Sequence, residues 1–362
     1  MGYTMPTMKI RGGDLDLVEY EFMAFAPGEE IRTCDLEGTV TPSPQKGTFT
    51  AIAPARIHLT VFDMNRFAPG HPGGGGLGFA LKLYCEAKIA CQPEGIAINH
   101  PREAIIRHFL IAFSKAVGYT GGFSVTAADH GKEHVGLGST STLLTVVGHA
   151  ANAALGSPLT ADQIRMLIGN NYVEETDTGD VVYGFETGVG PAVSTHGGIG
   201  VMGDCLTLVY HHSFAEDKNV YIVIPPSGVS SAGEHEFDLL MTKARTLDYR
   251  DRELKSYMML MDFIPAVERG DLKAMGDIMW EIEFRGSKRA EVEHHSFALY
   301  EYMSRLREAG LEFVAMSSVG PAVAIITDRT EEEMQAIVQQ IGLEIAVTTE
   351  IDNEGVKVIP PA

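Results

Sequence analysis

The chain has 362 residues, of which 45% are hydrophobic and 21% charged, a length and balance that fit two packed domains with core enough to fold without staples. Twenty-eight Lys and Arg against 48 Asp and Glu leave a net charge of −20, and so acidic a surface excludes nucleic acid as the expected partner. Four cysteines without C-x-x-C or zinc-ligand spacing argue for reduced thiols; with no signal-peptide core at the N-terminus and no apolar run long enough to span a bilayer, the expected setting is the cytoplasm, away from membrane.

Residues 1–46 read as an N-terminal extension. LVEYEFMAF (17–25) has strand composition, and 42–47 reads as a linker. Eight acidic residues and two arginines over 11–37 suggest a solvated edge strand. FTAIAPARIHLTVFDM (49–64) alternates apolar and polar residues as a long strand does, and 71–84 is a glycine turn leading into another. Ile105, Ile106, Phe109, Leu110, Phe113 and Val117 fall at helical spacing over 101–117. A strand over 121–129 follows. The loop 134–142 then enters an apolar helix closed by Gly156, and Thr160 caps a helix over 160–169.

Residues 181–204 are strand and turn material, and 219–226 a buried strand. The stretch 235–309 is helical, with breaks expected near Pro265, Gly270 and Gly286. Its methionines Met258, Met259 and Met261 and its Trp280 read as core, and His294 and His295 as surface. His211 and His212 end a strand without a third metal ligand. Strands over 313–318, 321–327 and 343–349, with a helix over 331–341, suggest a ferredoxin-like second half. The expected boundary lies near 210–220, giving units 47–212 and 213–362.

Two stretches carry chemistry. In His134-Val-Gly-Leu-Gly-Ser-Thr-Ser141, two glycines precede a helix start, where free N–H groups and the helix dipole favour an anion. Ser139, Thr140 and Ser141 add hydroxyl donors. No Gly-Lys-Ser/Thr follows and the G-x-G-x-x-G spacing is missing, so neither a Walker loop nor a dinucleotide fold is indicated. On the strand, Arg56, His58 and Thr60 share one face by the period of two, and Asp63 ends it. A cation, an imidazole and a hydroxyl together suit an anionic substrate.

Pro54-Ala-Arg-Ile-His58, then Gly136-Leu-Gly-Ser-Thr140, then Met316-Ser-Ser-Val-Gly-Pro-Ala-Val323 resemble the three-motif layout of the galactokinase, homoserine kinase, mevalonate kinase and phosphomevalonate kinase (GHMP) superfamily. Within it, the chain is most similar to the β-ribofuranosylaminobenzene 5′-phosphate synthase family. The likeness lies in Arg56-Ile-His-Leu-Thr60 with Asp63-Met-Asn65 and the glycine turn over 73–78, and in the phosphate loop. It continues in Gly188-Val-Gly190 with Gly197-Gly198 and Asp204, in Gly286-Ser-Lys-Arg-Ala-Glu291, and in Ser317-Ser-Val-Gly-Pro321.

This resemblance implies an α+β, two-domain GHMP-kinase-like fold, with an N-terminal domain like ribosomal protein S5 and a ferredoxin-like C-terminal domain. It implies a pentosyltransferase that joins phosphoribosyl pyrophosphate to an aromatic carboxylic acid at carbon, losing CO₂ and pyrophosphate. The acceptor would be 4-aminobenzoate in methanopterin biosynthesis, or a heteroaromatic dicarboxylate in C-nucleoside antibiotic pathways. Mg²⁺ and a homodimer are implied with it; an ATP-dependent small-molecule kinase is the alternative.

On this basis Gly136, Gly138, Ser139 and Thr140 are expected to hold the diphosphate, and Leu137, Thr187 and Gly188 to bind substrate beside them. Asp63 and Glu186 are candidate ligands to Mg²⁺ or a ribose hydroxyl. Arg56 is expected to read the acceptor carboxylate, with Lys288 and Arg289 next, and His58 to orient the acceptor or take its proton. Ser317 and Ser318 would complete the pocket floor. Two features depart from the family. Thr187-Gly-Val-Gly190 lacks the acidic base that kinases of the superfamily often carry there. Ser139-Thr-Ser-Thr142 replaces a stretch that usually ends in Thr-Gln, which suggests a changed acceptor.

Overall fold

A computed structural model describes residues 7–11, 19–131, 136–227, 229 and 238–361. After a hairpin of β1 (Thr7–Arg11) and β2 (Glu19–Met23), the chain forms β3 (Phe49–Val61), β4 (Gly76–Gln92), β5 (Ile96–Asn99), helix α1 (Glu103–Val117) and β6 (Gly122–Ala128). Helices α2 (Ser139–Ala154) and α3 (Ala161–Asn170) follow, then the pair β7 (Val173–Glu175) and β8 (Val181–Tyr183), helix α4 (Val189–His196), β9 (Ile199–Met202) and β10 (Leu208–His212). The second half begins with β11 (Asn219–Val223) and helices α5 (Arg245–Met258), α6 (Ile264–Glu268), α7 (Leu272–Glu283), α8 (Gly286–His294) and α9 (Ala298–Glu308). It ends with β12 (Phe313–Met316), β13 (Val323–Thr327), helix α10 (Glu331–Ile341), β14 (Ile345–Glu350) and β15 (Lys357–Ile359).

The first sheet runs β10-β9-β4-β3-β15, and the long β4 pairs at its other end with β6, which takes β5 in parallel. The second runs β12-β13-β11-β14, all antiparallel, which is the expected ferredoxin-like order. Helix α2 is buried almost all round between the first sheet and its neighbouring helices, its hydroxyl-bearing residues gathered in the first two turns. Its Leu143, Leu144, Val146 and Val147 join Ile105, Phe109 and Phe113 of α1 in one core. A second core spans both sheets, joining Ile57, Leu59 and Phe79 to Ile222, Phe313 and Ala324.

Several local expectations change. The extension is less solvated than its charge suggests, because Phe22, Phe25 and Leu36 are buried. At Pro265 the chain stays helical: the ring sits in the first turn of α6, behind a wide π turn at Met259–Phe263, where no N–H is required of it. His295 is buried rather than at the surface, its Nδ1 2.7 Å from Ser227 Oγ. Met259 is core, but Met261 is exposed on the outer side of the same helix.

Candidate active site

Strand β3 brings its chemistry to a cleft lined by both halves of the chain, whose wall includes Arg56 and His58. The face shared by alternate residues ends there. A register shift between His58 and Thr60 turns Thr60 inward, where its hydroxyl donates to the Val61 carbonyl at 2.9 Å. Arg56 Nη1 donates to Gly136 O at 2.8 Å. A Cβ on Gly138 would lie 2.7 Å from Arg56 Cγ and Nε, and one on Gly136 would collide with Ser317 O. Both glycines have positive φ, +95° and +71°, so the loop needs them for its backbone as well as for its neighbours. His134, at the head of this motif, lies outside the described residues.

Two helices start beside Arg56, the second at the cleft and the first behind it, since none of residues 136–141 lines the cleft. Helix α2 begins after Gly138 and α4 after Gly188, both glycines left-handed, with no side-chain cap and no acid in the first turn. Gly190 of α4 lines the cleft, and a Cβ there would strike Ser141 Oγ of α2, so the two first turns touch. Two helix dipoles and the first-turn N–H groups of α2 thus lie near one another, while at α4 Gly188 N–H donates to Glu186 and Val189 N–H to Thr187 Oγ1 at 3.4 Å. Arg102, which sequence reasoning missed, supports the start of α2: its Nη1 donates to Thr140 Oγ1 at 2.8 Å and Ser139 Oγ at 3.4 Å, while its Nη2 pairs with Asp129 at 3.7 Å. Leu137 is buried behind the loop, its carbonyl accepting from Arg56 N–H at 3.4 Å.

Carboxylates line the cleft as well. Glu186 accepts from Gly188 N–H at 2.6 Å, and burial pushes its pKa up to about 7 against the pull of that N–H and of Arg56. Glu174, raised chiefly by burial, accepts from the Tyr172 hydroxyl at 3.0 Å. His58 Nε2 lies 3.2 Å from Thr187 Oγ1. Burial, then Arg56 and Lys288, hold its pKa well below the ordinary histidine value, so the ring is neutral.

The second half closes the floor. Ser317 Oγ donates to Gly136 O at 2.6 Å and accepts from His58 N–H at 3.1 Å, while Ser318 N–H donates to His58 O at 2.7 Å. Lys288 is fully buried behind this turn. Its Nζ donates to Ser318 O at 2.8 Å and pairs with Glu291, whose side chain reaches the cleft. Val61, Met64, Phe67, Phe185, Leu240 and Val319 form an apolar wall away from the helix starts.

Other expected residues stand elsewhere. Asp63 accepts from Asn65 N–H at 3.0 Å and pairs with Arg252 at 3.2 Å, off the cleft wall. Arg289 is exposed and pairs with Glu293 at 2.8 Å. Tyr172, Glu174, Phe67 and Phe185 carried no sequence signal; Glu291 stood inside the Gly286–Glu291 motif, unassigned.

Solved structures of low sequence identity share this architecture. Homoserine kinase from Cytophaga hutchinsonii superposes with a TM-score of 0.61 at 13% identity, over 88% of this chain and 99% of its own. Mevalonate diphosphate decarboxylase from Staphylococcus aureus does so with a TM-score of 0.62 at 15% identity, over 86% and 98%. The fold is therefore the two-domain α+β fold of the GHMP kinases. No family model matches the chain. Curated relatives bear out the narrower likeness: β-ribofuranosylphenol 5′-phosphate synthase from Archaeoglobus fulgidus is 28% identical over 84% of this chain and 97% of its own length. The synthase of the same name from Methanothermobacter thermautotrophicus is 26% identical over 80% and 91%.

Proposed function

We propose that the protein is a decarboxylating phosphoribosyltransferase. It joins C1 of phosphoribosyl pyrophosphate to the carboxyl-bearing ring carbon of an aromatic acid and releases CO₂ and pyrophosphate. The observation that carries this reading is the match to two synthases across more than nine-tenths of their length. Their name indicates a phenol product, so the acceptor favoured here is 4-hydroxybenzoate, on a route to a pterin precursor. The cleft supports the reading, because its anion-collecting end and its apolar end adjoin.

Breaking the C1–O bond puts positive charge on the sugar and negative charge on the leaving diphosphate. The starts of α2 and α4 face that negative charge. Among the described residues no group of three or more His, Cys, Asp and Glu could hold a metal ion. The site still fits Mg²⁺ held by one carboxylate and substrate oxygens, with Glu174 as the protein's ligand. When bound, the ion supplies charge neutralisation for the departing diphosphate.

The acceptor ring lies along the apolar wall, with Arg56 against its carboxylate. As the ring carbon attacks C1, Glu186 takes the proton of the ring hydroxyl. The C–CO₂ bond then breaks, its electron pair restores aromaticity, and the proton returns to the phenolic oxygen. Neutral His58 accepts or donates one hydrogen bond and holds Thr187. The same reading carries a cytoplasmic homodimer.

Incubation with phosphoribosyl pyrophosphate, Mg²⁺ and 4-hydroxybenzoate tests it. Equal release of pyrophosphate and CO₂, outpacing 4-aminobenzoate and heteroaromatic dicarboxylates, is the expected result. ADP formation from ATP and a small alcohol, with no CO₂ from any acid, would overturn it.

A further inference from the structure

The N-terminal segment has no part in the chemistry above, yet it reaches the cleft. Phe22 of β2 is 1% exposed and its ring centre lies 6.0 Å from that of Phe185. Phe185 lies 4.5 Å from Phe67, and both of these rings line the apolar end. Phe22 itself stands behind that wall.

Beyond Phe22 the segment grips the two stretches that carry the wall. Phe25 and Val181 exchange backbone hydrogen bonds of 2.9 Å in both directions. The Tyr183 hydroxyl donates to Glu30 O at 2.7 Å. Arg32 N–H donates to Asn171 Oδ1 at 2.8 Å, and Asn171 Nδ2 returns a bond to Arg32 O at 2.9 Å. Arg32 Nη1 also lies 3.5 Å from His71 Nδ1, in the loop that carries Phe67. Residues 22–32 therefore fasten 67–71 and 181–185 together.

We propose that this strap is part of the acceptor subsite, and that Phe22 is a positioning residue that fixes Phe185 and Phe67 and so limits the cleft to a single-ring aromatic acid. The inference rests on the acceptor reading of the apolar end. Shortening Phe22 frees Phe185 to retreat and lengthens the space open to a ring, while the anion-binding end keeps its own supports.

The test compares 4-hydroxybenzoate with 6-hydroxy-2-naphthoate, which has the same two groups on a longer ring system. Binding of each is measured by calorimetry, and KM for phosphoribosyl pyrophosphate by turnover, in wild type, Phe22→Ala and Phe22→Leu. We expect Phe22→Ala to improve the naphthoate's Kd relative to the benzoate's by about tenfold, with KM for phosphoribosyl pyrophosphate changed less than about twofold and Phe22→Leu intermediate. Equal shifts for both rings, no shift for either, or a matching change in KM for phosphoribosyl pyrophosphate would overturn the proposal, as would failure of the wild type to bind either ring. If Phe22→Ala does not fold, Phe22→Leu decides. Should the wild type bind the benzoate but release no pyrophosphate or CO₂, the proposed reaction fails, and the ring-binding ratio still judges the strap.

Discussion

Arg56 is the residue on which both ends of the cleft depend. Its guanidinium holds the Gly136 carbonyl, its stem packs under Gly138, and it lies between the uncapped helix starts and the apolar wall. Arg56→Ala should lower kcat/KM at least about a hundredfold, equivalent to ~3 kcal/mol, with an unchanged circular dichroism spectrum. Kinetics equal to wild type would remove it from the site. Glu186 gives a second residue-level expectation. With a pKa near 7 it is a carboxylate only on the alkaline side, so kcat should rise with pH through about 7. Glu186→Gln should lose about 10²-fold or more in kcat along with that limb; a limb that survives in the Gln variant belongs to another group. Arg56 and His58 were legible because a strand's period of two needs no tertiary information. Tyr172, Glu174 and Glu291 were not, since folding brings them to the cleft from β7 and its approach and from α8, across more than a hundred residues of chain.

Helices α5 and α8 meet the end of β3 through a buried ion pair. Asp248 and Lys255 are both fully buried and bonded to each other. Asp248 accepts from Met64 N–H at 2.9 Å and Ser287 N–H at 2.5 Å, while Lys255 donates to Val61 O at 2.8 Å. A side chain on Gly286 would collide with Asp248. The block from Gly286 to Glu291 is thus largely a joint: of its charged residues, only Glu291 reaches the cleft. Lys255→Met should cost about 3–5 kcal/mol in urea unfolding by leaving the Asp248 charge unpaired, and Asp248→Asn added to it should restore much of the loss. Independent, additive effects would show that the pair is not the link. The motif stood out in the sequence, but its partner Asp248 did not, because the π turns around α5 break the helical period that would have aligned it.

Across the whole molecule the two sheets are joined by Phe79, Phe214 and Phe313, with ring centres 5.1, 6.2 and 6.3 Å apart. The order of the second sheet was legible from its alternating strands and helices, but that of the first was not, since β5 and β15 carried no signal and distant segments meet in it. Close to the second sheet lies Glu283, fully buried, accepting from Met316 N–H at 2.8 Å and raised by burial to about 7. A carboxyl raised from near 4.5 in the unfolded chain to about 7 in the folded one binds more protons when folded. Its contribution is therefore fully present below about pH 4.5 and is lost as pH rises to about 7. Glu283→Gln does not titrate, so its stability relative to wild type should increase by about 1–3 kcal/mol between pH 5 and 8. A constant difference across that range would show that Glu283 titrates as an ordinary surface carboxyl.

The strand β15 leaves the second sheet's side of the molecule and pairs with β3, Lys357 opposite Ile52 and Ile359 opposite Thr50. On the way, Asp352 exchanges backbone bonds with Gly198 and Ala80. On the ribosome, the start of the strand that carries Arg56 and His58, residues 50–52, consequently has a bare edge until residues 357–359 have emerged. The earlier sheet is finished only after the later one has been translated, so a polypeptide stalled before that point holds every active-site side chain and still lacks the seam that closes the first residues of their strand.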